Sequence, residues 1–242
     1  MKRLGVNIDH IATLRNARGE GHPNVIQSAK KIMKFGAHSI TVHLREDRRH
    51  IKDKDLFLLI KSKIPINLEM AANPKMLKIA LKRKPKYVCL VPEKREEITT
   101  EGGLNISKNK KIIRKIIIEL NKKKIRTSLF INPNKKDIKL AKDLGSNCIE
   151  LHTGKISILI KKKKKFKSEL KKIIKCTKYA KSLNLEVHAG HGIDYSTAKF
   201  LSKIDGIEEF NIGHFIIGES INIGLLKVIK TFKKIISTKW LY

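Results

Sequence analysis

Cysteine, aromatic residues and acid are all scarce in this sequence. Three cysteines occur in 242 residues, and no two have C-x-x-C spacing. An odd, scattered set supports neither a disulfide framework nor a structural zinc site, and it fits a reducing cytosol. Aromatic residues make up only 5%, too few for the stacking platforms of single-strand nucleic-acid modules. No apolar run approaches the ~20 residues that a bilayer-crossing helix requires, so no membrane partner is expected. The first ten residues, MKRLGVNIDH, put Asp9 and His10 where a secretory signal would carry its apolar stretch. No G-x-G-x-x-G follows the first strand-like run, which removes the usual dinucleotide fingerprint. No H-E-x-x-H is present, and although Glu150-x-His152 offers two ligand types, no metal is expected.

Acid is scarce in absolute terms too: 22 Asp+Glu face 54 Lys+Arg, giving a formal net charge of +32. A charge of that size raises the question of a polyanionic partner. The excess is lysine, with 44 Lys against 10 Arg. Lysine runs at 108–115, 122–124 and 161–165 interleave with isoleucine or border it, as in IIRKIIIELNKKKI. That pattern describes a helix with a solvated face. Lys, Ile and Asn also belong to A/T-rich codons, so compositional drift over an ordinary enzyme accounts for the surplus, and no nucleic-acid partner is expected. Arginine is distributed differently. Eight of the ten lie before residue 100, and five fall in the dense segments 15–18 and 45–49, where a planar fork rather than mere charge is wanted.

The 41% apolar content excludes a disordered chain. Eight short strand-like runs follow one another: 4–8, 39–43, 66–70, 87–91, 126–131, 147–151, 185–189 and 209–213. Amphipathic helical segments fill most of the gaps, with apolar residues at i, i+3, i+4 and i+7. Gly36 and Gly145 suit helix C-caps, and Asn73-Pro74 and Asn132-Pro133 suit helix starts. Eight repeats of strand and helix in one chain of this length predict a (β/α)8 TIM barrel, with 1–242 as a single domain. The longest irregular stretch is 92–109, and its part 93–108 is a candidate lid.

Polar residues gather where these strands end: Asn7-x-Asp9-His10, His43-x-Arg45, Asn67-x-Glu69, Glu93-Lys94-Arg95, Glu150-x-His152, His188 with Gly190-His191-Gly192, and Asn211-x-Gly213-His214. Residues two apart on a strand point the same way, so such pairs enter a barrel mouth together. That face carries catalysis in barrel enzymes. Three arginines and two histidines in 43–50 suit a phosphate or carboxylate, or else a surface ion-pair network. The Gly-flanked turns at 190–192 and 213–214 suit phosphate held on backbone N–H groups, with 215–221 supplying a helix start. Glu69 and Glu150, pointing inward among histidines, supply sequential acid/base steps near neutral pH. Cys89, Cys148, Cys176, Tyr87, Phe130 and Trp240 are expected to pack. A Schiff-base aldolase would need an inward strand lysine, and none of the runs contains one.

The segments GVNIDHIATLRNARG (5–19), ITVHLREDRRHI (40–51), NLEMA (67–71), LVPEKREEITTEGGL (90–104), IELHTG (149–154), AGHG (189–192) and NIGHFIIG (211–218) together resemble the pyridoxine 5'-phosphate synthase family, in order and over the whole chain. The resemblance implies a TIM barrel with a few extra helices, assembled as a homo-octamer in the cytoplasm. It implies ring-closing condensation of 1-deoxy-D-xylulose 5-phosphate with 3-amino-2-oxopropyl phosphate, with no metal or organic cofactor. It makes His43 and Glu69 proton acceptors, His191 a proton donor and Glu150 a transition-state stabiliser. Asn7, Arg18, Gly192, Gly213 and His214 match binders of the amino-ketone phosphate and product phosphate. Asp9, His10, Arg45, His50 and Thr99 match binders of the deoxyxylulose phosphate. Arg18 lies away from the strand ends and would reach a neighbouring subunit's site. The residue-level alternatives are another phosphate-handling barrel enzyme, an isomerase or aldolase, and a nucleic-acid binder.

Overall fold

A computed structural model describes residues 1–93 and 102–238. Thr99, Lys94, Arg95 and Trp240 lie outside the described residues, as does half of the candidate lid. Eight parallel strands close into a barrel in chain order, with the last paired to the first. They are β1 (Arg3–Asn7), β2 (Ser39–His43), β3 (Ile66–Met70), β4 (Tyr87–Leu90), β5 (Arg126–Ile131), β6 (Cys148–His152), β7 (Glu186–Gly190) and β8 (Ile207–Ile212). Three match the expected bounds and the others differ by one or two residues at an end, where strand ends fray.

The helices form the outer layer: α1 (Asp9–Arg18), α2 (Val25–Lys34), α3 (Asp53–Lys61), α4 (Pro74–Arg83), α5 (Ile106–Lys122), α6 (Lys135–Asp143), α7 (Gly154–Lys161), α8 (Lys167–Ser182), α9 (Tyr195–Leu201), α10 (His214–Ile223) and α11 (Leu225–Ser237). The architecture is thus a (β/α)8 barrel with additional helices. α5 begins at Ile106, so the last residues of the candidate lid are helical instead. Gly36 and Gly145 take positive φ, as helix C-caps require. Asn73 caps α4, its side chain accepting from the Met76 N–H, with Pro74 at the first helical position. The second Asn-Pro start is corrected. Asn134, not Asn132, caps α6, while the Asn132 Oδ1 accepts from the Gly103 N–H at 3.0 Å.

Side chains alternate sharply across each strand. Leu4, Ile40, Leu68, Val88, Leu129, Ile149, Val187 and Phe210 are wholly buried and belong to the apolar core beneath the helices. Their neighbours Gly5, Thr41, Asn67, Cys89, Ser128, Glu150, His188 and Asn211 therefore face the barrel axis. The barrel interior is largely polar, and hydrogen bonds fill it. Asn67 Nδ2 donates to Thr41 Oγ1 (3.4 Å), Thr41 Oγ1 donates to Asn211 Oδ1 (3.1 Å), and Asn211 Nδ2 donates to Glu150 Oε2 (2.7 Å). Gly5 lets this row pass, because a Cβ there would lie 2.1 Å from Asn211 Oδ1.

His188 is corrected by this layering. It does not reach the C-terminal mouth. Its Nε2 lies 2.8 Å from Glu186 Oε1, in a network that closes the N-terminal end. There Arg3 pairs with Glu186 and with Glu209 (2.8 Å), and Arg126 pairs with Glu186 (2.8 Å) while covering the Tyr87 ring. The hydrogen bond from His188, with the charges of Arg126, His188 and Arg3, holds the Glu186 carboxyl, despite its partial burial, down at about 2. All three cysteines are buried and free, as their sequence setting suggests.

The two cap assignments are testable. Asn73→Ala and Asn134→Ala should each lower stability by about 1 kcal/mol, read as a shifted urea midpoint with unchanged slope.

Candidate active site

A cavity of about 690 Å³ opens at the C-terminal ends of the strands. A larger hollow, about 1090 Å³, lies at the opposite end and is lined by Lys2, Lys178, Lys181 and Lys203. It contains no histidine, so acid/base chemistry belongs to the first. β1 delivers Asn7, and the start of α1 delivers Asp9 and His10. β2 and β3 set His43 and Glu69 side by side in register. β6 delivers Glu150 from deeper in the barrel, beside Phe130 on β5.

Asn7, Asp9, His43 and Glu69 form one network. Asn7 Nδ2 donates to Asp9 Oδ2 (3.0 Å) and to Glu69 Oε2 (3.4 Å), and the Asn7 Oδ1 accepts from the Asp9 N–H. Asp9 Oδ1 accepts from the His43 N–H at 2.9 Å. His43 Nε2 lies 2.9 Å from Glu93 Oε1. Burial dominates the electrostatics. It raises the Glu69 carboxyl well above its ordinary range, reinforced by the charges of Glu150 and Asp9. It raises Glu150 to about 7, against the opposing pull of His188 and Asn211. It raises Asp9 to about 6, against hydrogen bonds from His43 and Asn7. All three carboxyls thus hold protons more tightly than free carboxylates do, which suits stepwise proton transfer.

The opposite wall is built for anions. His191 and Gly192 both take left-handed backbone, φ 76° and 77°. The turn brings the His191 ring over His152, with centroids 4.9 Å apart and planes 24° from parallel. Burial and the Lys161 charge both push His191 down. Lys161 donates to the Gly192 carbonyl at 3.0 Å. Gly213 precedes α10, and a Cβ there would meet the Asn7 Cβ at 2.9 Å. The free N–H groups at the start of this ten-residue helix face the cavity rim at Gly213 and His214.

A family model described as pyridoxal phosphate biosynthesis protein PdxJ matches residues 4–238. The chain belongs to the PdxJ family of vitamin B6 biosynthetic enzymes. It is 62% identical over 236 residues to the pyridoxine 5'-phosphate synthase of Pelagibacter ubique, covering 97% of this chain and 99% of that one. It is 50% identical over 232 residues to the synthase of Zymomonas mobilis, covering 96% and 90%. A mutant tryptophan synthase α-subunit from Pyrococcus furiosus superposes with a TM-score of 0.63 at 13% identity, covering 98% of both chains. That likeness concerns the fold alone.

In this PdxJ chain, every described residue that the resemblance assigns to the site lines the cavity except Arg18 and His50. Arg18 projects from the end of α1, well exposed and paired with Glu20. His50 stands behind His43, 4.0 Å from Asp9 Oδ1, and burial together with the charge of His43 lowers it to about 4. Thr99 lies outside the described residues. The arginine-rich segment is corrected in part. Only Arg45 faces the cavity, while Arg48 pairs with Asp53 and Arg49 with Asp47. Phe130 is corrected as well, because it lines the cavity and meets His152 edge-on at 5.2 Å. Two titratable liners, His152 and Lys161, lie outside the set of site residues. His152 was visible as half of an i, i+2 pair. Lys161 sits inside a lysine run and carries no sequence signal that separates it from its neighbours.

Donor atoms of Asp9, His43 and Glu69 lie within 4.8 Å of one another, so this trio could accommodate a cation. Glu186, His188 and Glu209 do so too, but Arg3 and Arg126 already compensate that charge.

Two outcomes follow for Glu150. Its folded value of about 7 exceeds the ordinary 4.5, so the folded chain binds this proton more tightly. The stabilising effect is complete below pH ~4.5 and is lost as pH rises through ~7. Glu150→Gln should therefore gain on the parent chain by roughly 3 kcal/mol between pH 4.5 and 8 in urea melts, and a constant difference would deny the titration. A Cβ at Gly190 would lie 1.9 Å from Glu150 Oε1, whereas Gly21 has nothing within 4 Å. Gly190→Ala should lower kcat at least ~10-fold by displacing the carboxyl, and Gly21→Ala should not.

Proposed function

We propose that this chain catalyses the pyridoxine 5'-phosphate synthase reaction. It condenses 1-deoxy-D-xylulose 5-phosphate with 3-amino-2-oxopropyl phosphate and releases phosphate and water as the ring closes. The observation that carries this reading is the pairing of a proton-sharing wall with an anion-binding wall in one cavity. Asp9, His43, Glu69 and Glu150 form the first, and His191, Gly192, Gly213 and His214 the second. Amine attack on a ketone, phosphate loss, water addition and ring closure move protons at different atoms, so one base cannot serve them all.

In this reading His43 and Glu69 accept protons, and Glu69, raised by burial, also returns one as an acid. His191 donates a proton to the leaving group. Free of ligand it favours the neutral ring, and a phosphate dianion beside it reverses that preference. Glu150, held by Asn211 deep in the barrel, stabilises positive charge that develops on the condensing nitrogen. Asn7, Gly192, Gly213, His214 and Arg18 bind the amino-ketone phosphate and product phosphate. Asp9, His10, Arg45, His50 and Thr99 bind the deoxyxylulose phosphate. Arg18, turned away from its own cavity, serves a neighbouring subunit in a homo-octamer. The whole chain acts as one barrel domain in the cytoplasm, without metal or organic cofactor.

The test is direct. The purified chain, given both substrates, should form pyridoxine 5'-phosphate. Glu69→Gln and His191→Asn should each lower kcat by ~10²-fold or more. No product from the unaltered chain would sink the reading, and full activity in both variants would sink the residue roles.

A further inference from the structure

Glu93 follows β4 and belongs to no set assigned above. Its side chain is only 4% exposed. Oε1 lies 2.9 Å from His43 Nε2, and Oε2 accepts from the Glu46 N–H at 2.9 Å. The carboxyl thus bridges the ring on β2 and the backbone of the loop that follows it. Burial pushes this carboxyl up, but the hydrogen bonds from His43 and the Glu46 N–H, with the nearby charges of His43 and Arg45, outweigh it and the net shift is downward. Glu93 is therefore an anion at neutral pH and can only accept hydrogen bonds. A proton must then sit on His43 Nε2 for the 2.9 Å approach to be a hydrogen bond.

The reading of His43 as a proton acceptor needs an imidazole with one lone pair free and its ring held still. We propose that Glu93 is the positioning residue for His43: its carboxylate holds the ring in place as the Nε2–H tautomer and leaves Nδ1 to accept the substrate's proton. The logic is that of a carboxylate behind a catalytic histidine, where orientation and tautomer matter more than charge transfer. The inference rests on the proposed role of His43, but the tautomer itself can be read without any turnover.

Gln is the informative replacement. Its amide offers one acceptor oxygen, where the carboxylate offers two. If that oxygen serves the Glu46 N–H, the NH₂ group faces His43 and demands a lone pair on Nε2. The ring must then carry its proton on Nδ1, the wrong nitrogen for a base. ¹⁵N spectra of the imidazoles, with the His43 signals assigned by their loss in His43→Asn, report the tautomer directly. The parent chain at pH 8 should show His43 as Nε2–H, and Glu93→Gln should shift it toward Nδ1–H. Kinetically, Glu93→Gln should lower kcat ~10²-fold or more with KM changed less than about threefold. Glu93→Asp, which keeps the charge, should recover part of kcat. A parent spectrum with His43 as Nδ1–H would overturn the proposal, even if Glu93→Gln failed to fold. So would Glu93→Gln with an unaltered tautomer and parental kcat. A chain that turns over no substrate yet shows the expected tautomers would remove the proposed function and leave the Glu93–His43 geometry standing.

Discussion

The hydrogen bond from Asn211 to Glu150 anchors the rest of the site. A carboxyl this deep in a barrel loses water on every side, and an unpaired one would be very costly. Asn211 offers its amide to Glu150 and its oxygen to Thr41, and Thr41 in turn accepts from Asn67. One row of polar side chains therefore crosses the barrel between the catalytic mouth and the ion-paired floor. Two glycines make room for it. Gly5 clears the way for Asn211, and Gly190 for Glu150. Repacking any member would move Glu150, and with it the charge that bears on Glu69.

The barrel runs opposite electrostatic policies at its two ends. At the floor, His188 and two arginines compensate Glu186 and Glu209, and both carboxyls are held low. At the mouth, no arginine among the described residues pairs with Glu69 or Glu150, and burial raises both. The same residue type on neighbouring strands is thereby a permanent ion in one layer and a proton carrier two residues further along. Partners make most of the difference, since Glu209 is as deeply buried as Glu150 and is nevertheless held low.

Much of this was legible beforehand. Strand order and closure came from eight short apolar runs alternating with amphipathic helical segments, and the shared direction of the strand-end pairs from their spacing of two, because such patterning is a local property. The family motifs, long and in order, named most of the cavity's residues. What stayed hidden was relative height and partnership. His188 carries the same letter as His191 and sits three residues away, yet it belongs to the floor. Arg48 and Arg49 share a segment with Arg45, and all three pair with aspartates, yet only Arg45 also lines the cavity. Lys161 enters the cavity from a run of five lysines whose other members stay outside it.

The sequence by itself determined that eight strands alternate with helices, that no apolar run is long enough to cross a membrane as a helix, and that His, Glu and Gly collect at strand ends. These follow from spacing along the chain, which folding does not alter. Tertiary structure alone decided which carboxyls hold protons, which histidine nitrogen Glu93 meets, and which of the many cations reach the cavity. Those properties depend on burial and on neighbours brought in from other strands, and distance along the chain carries no record of either.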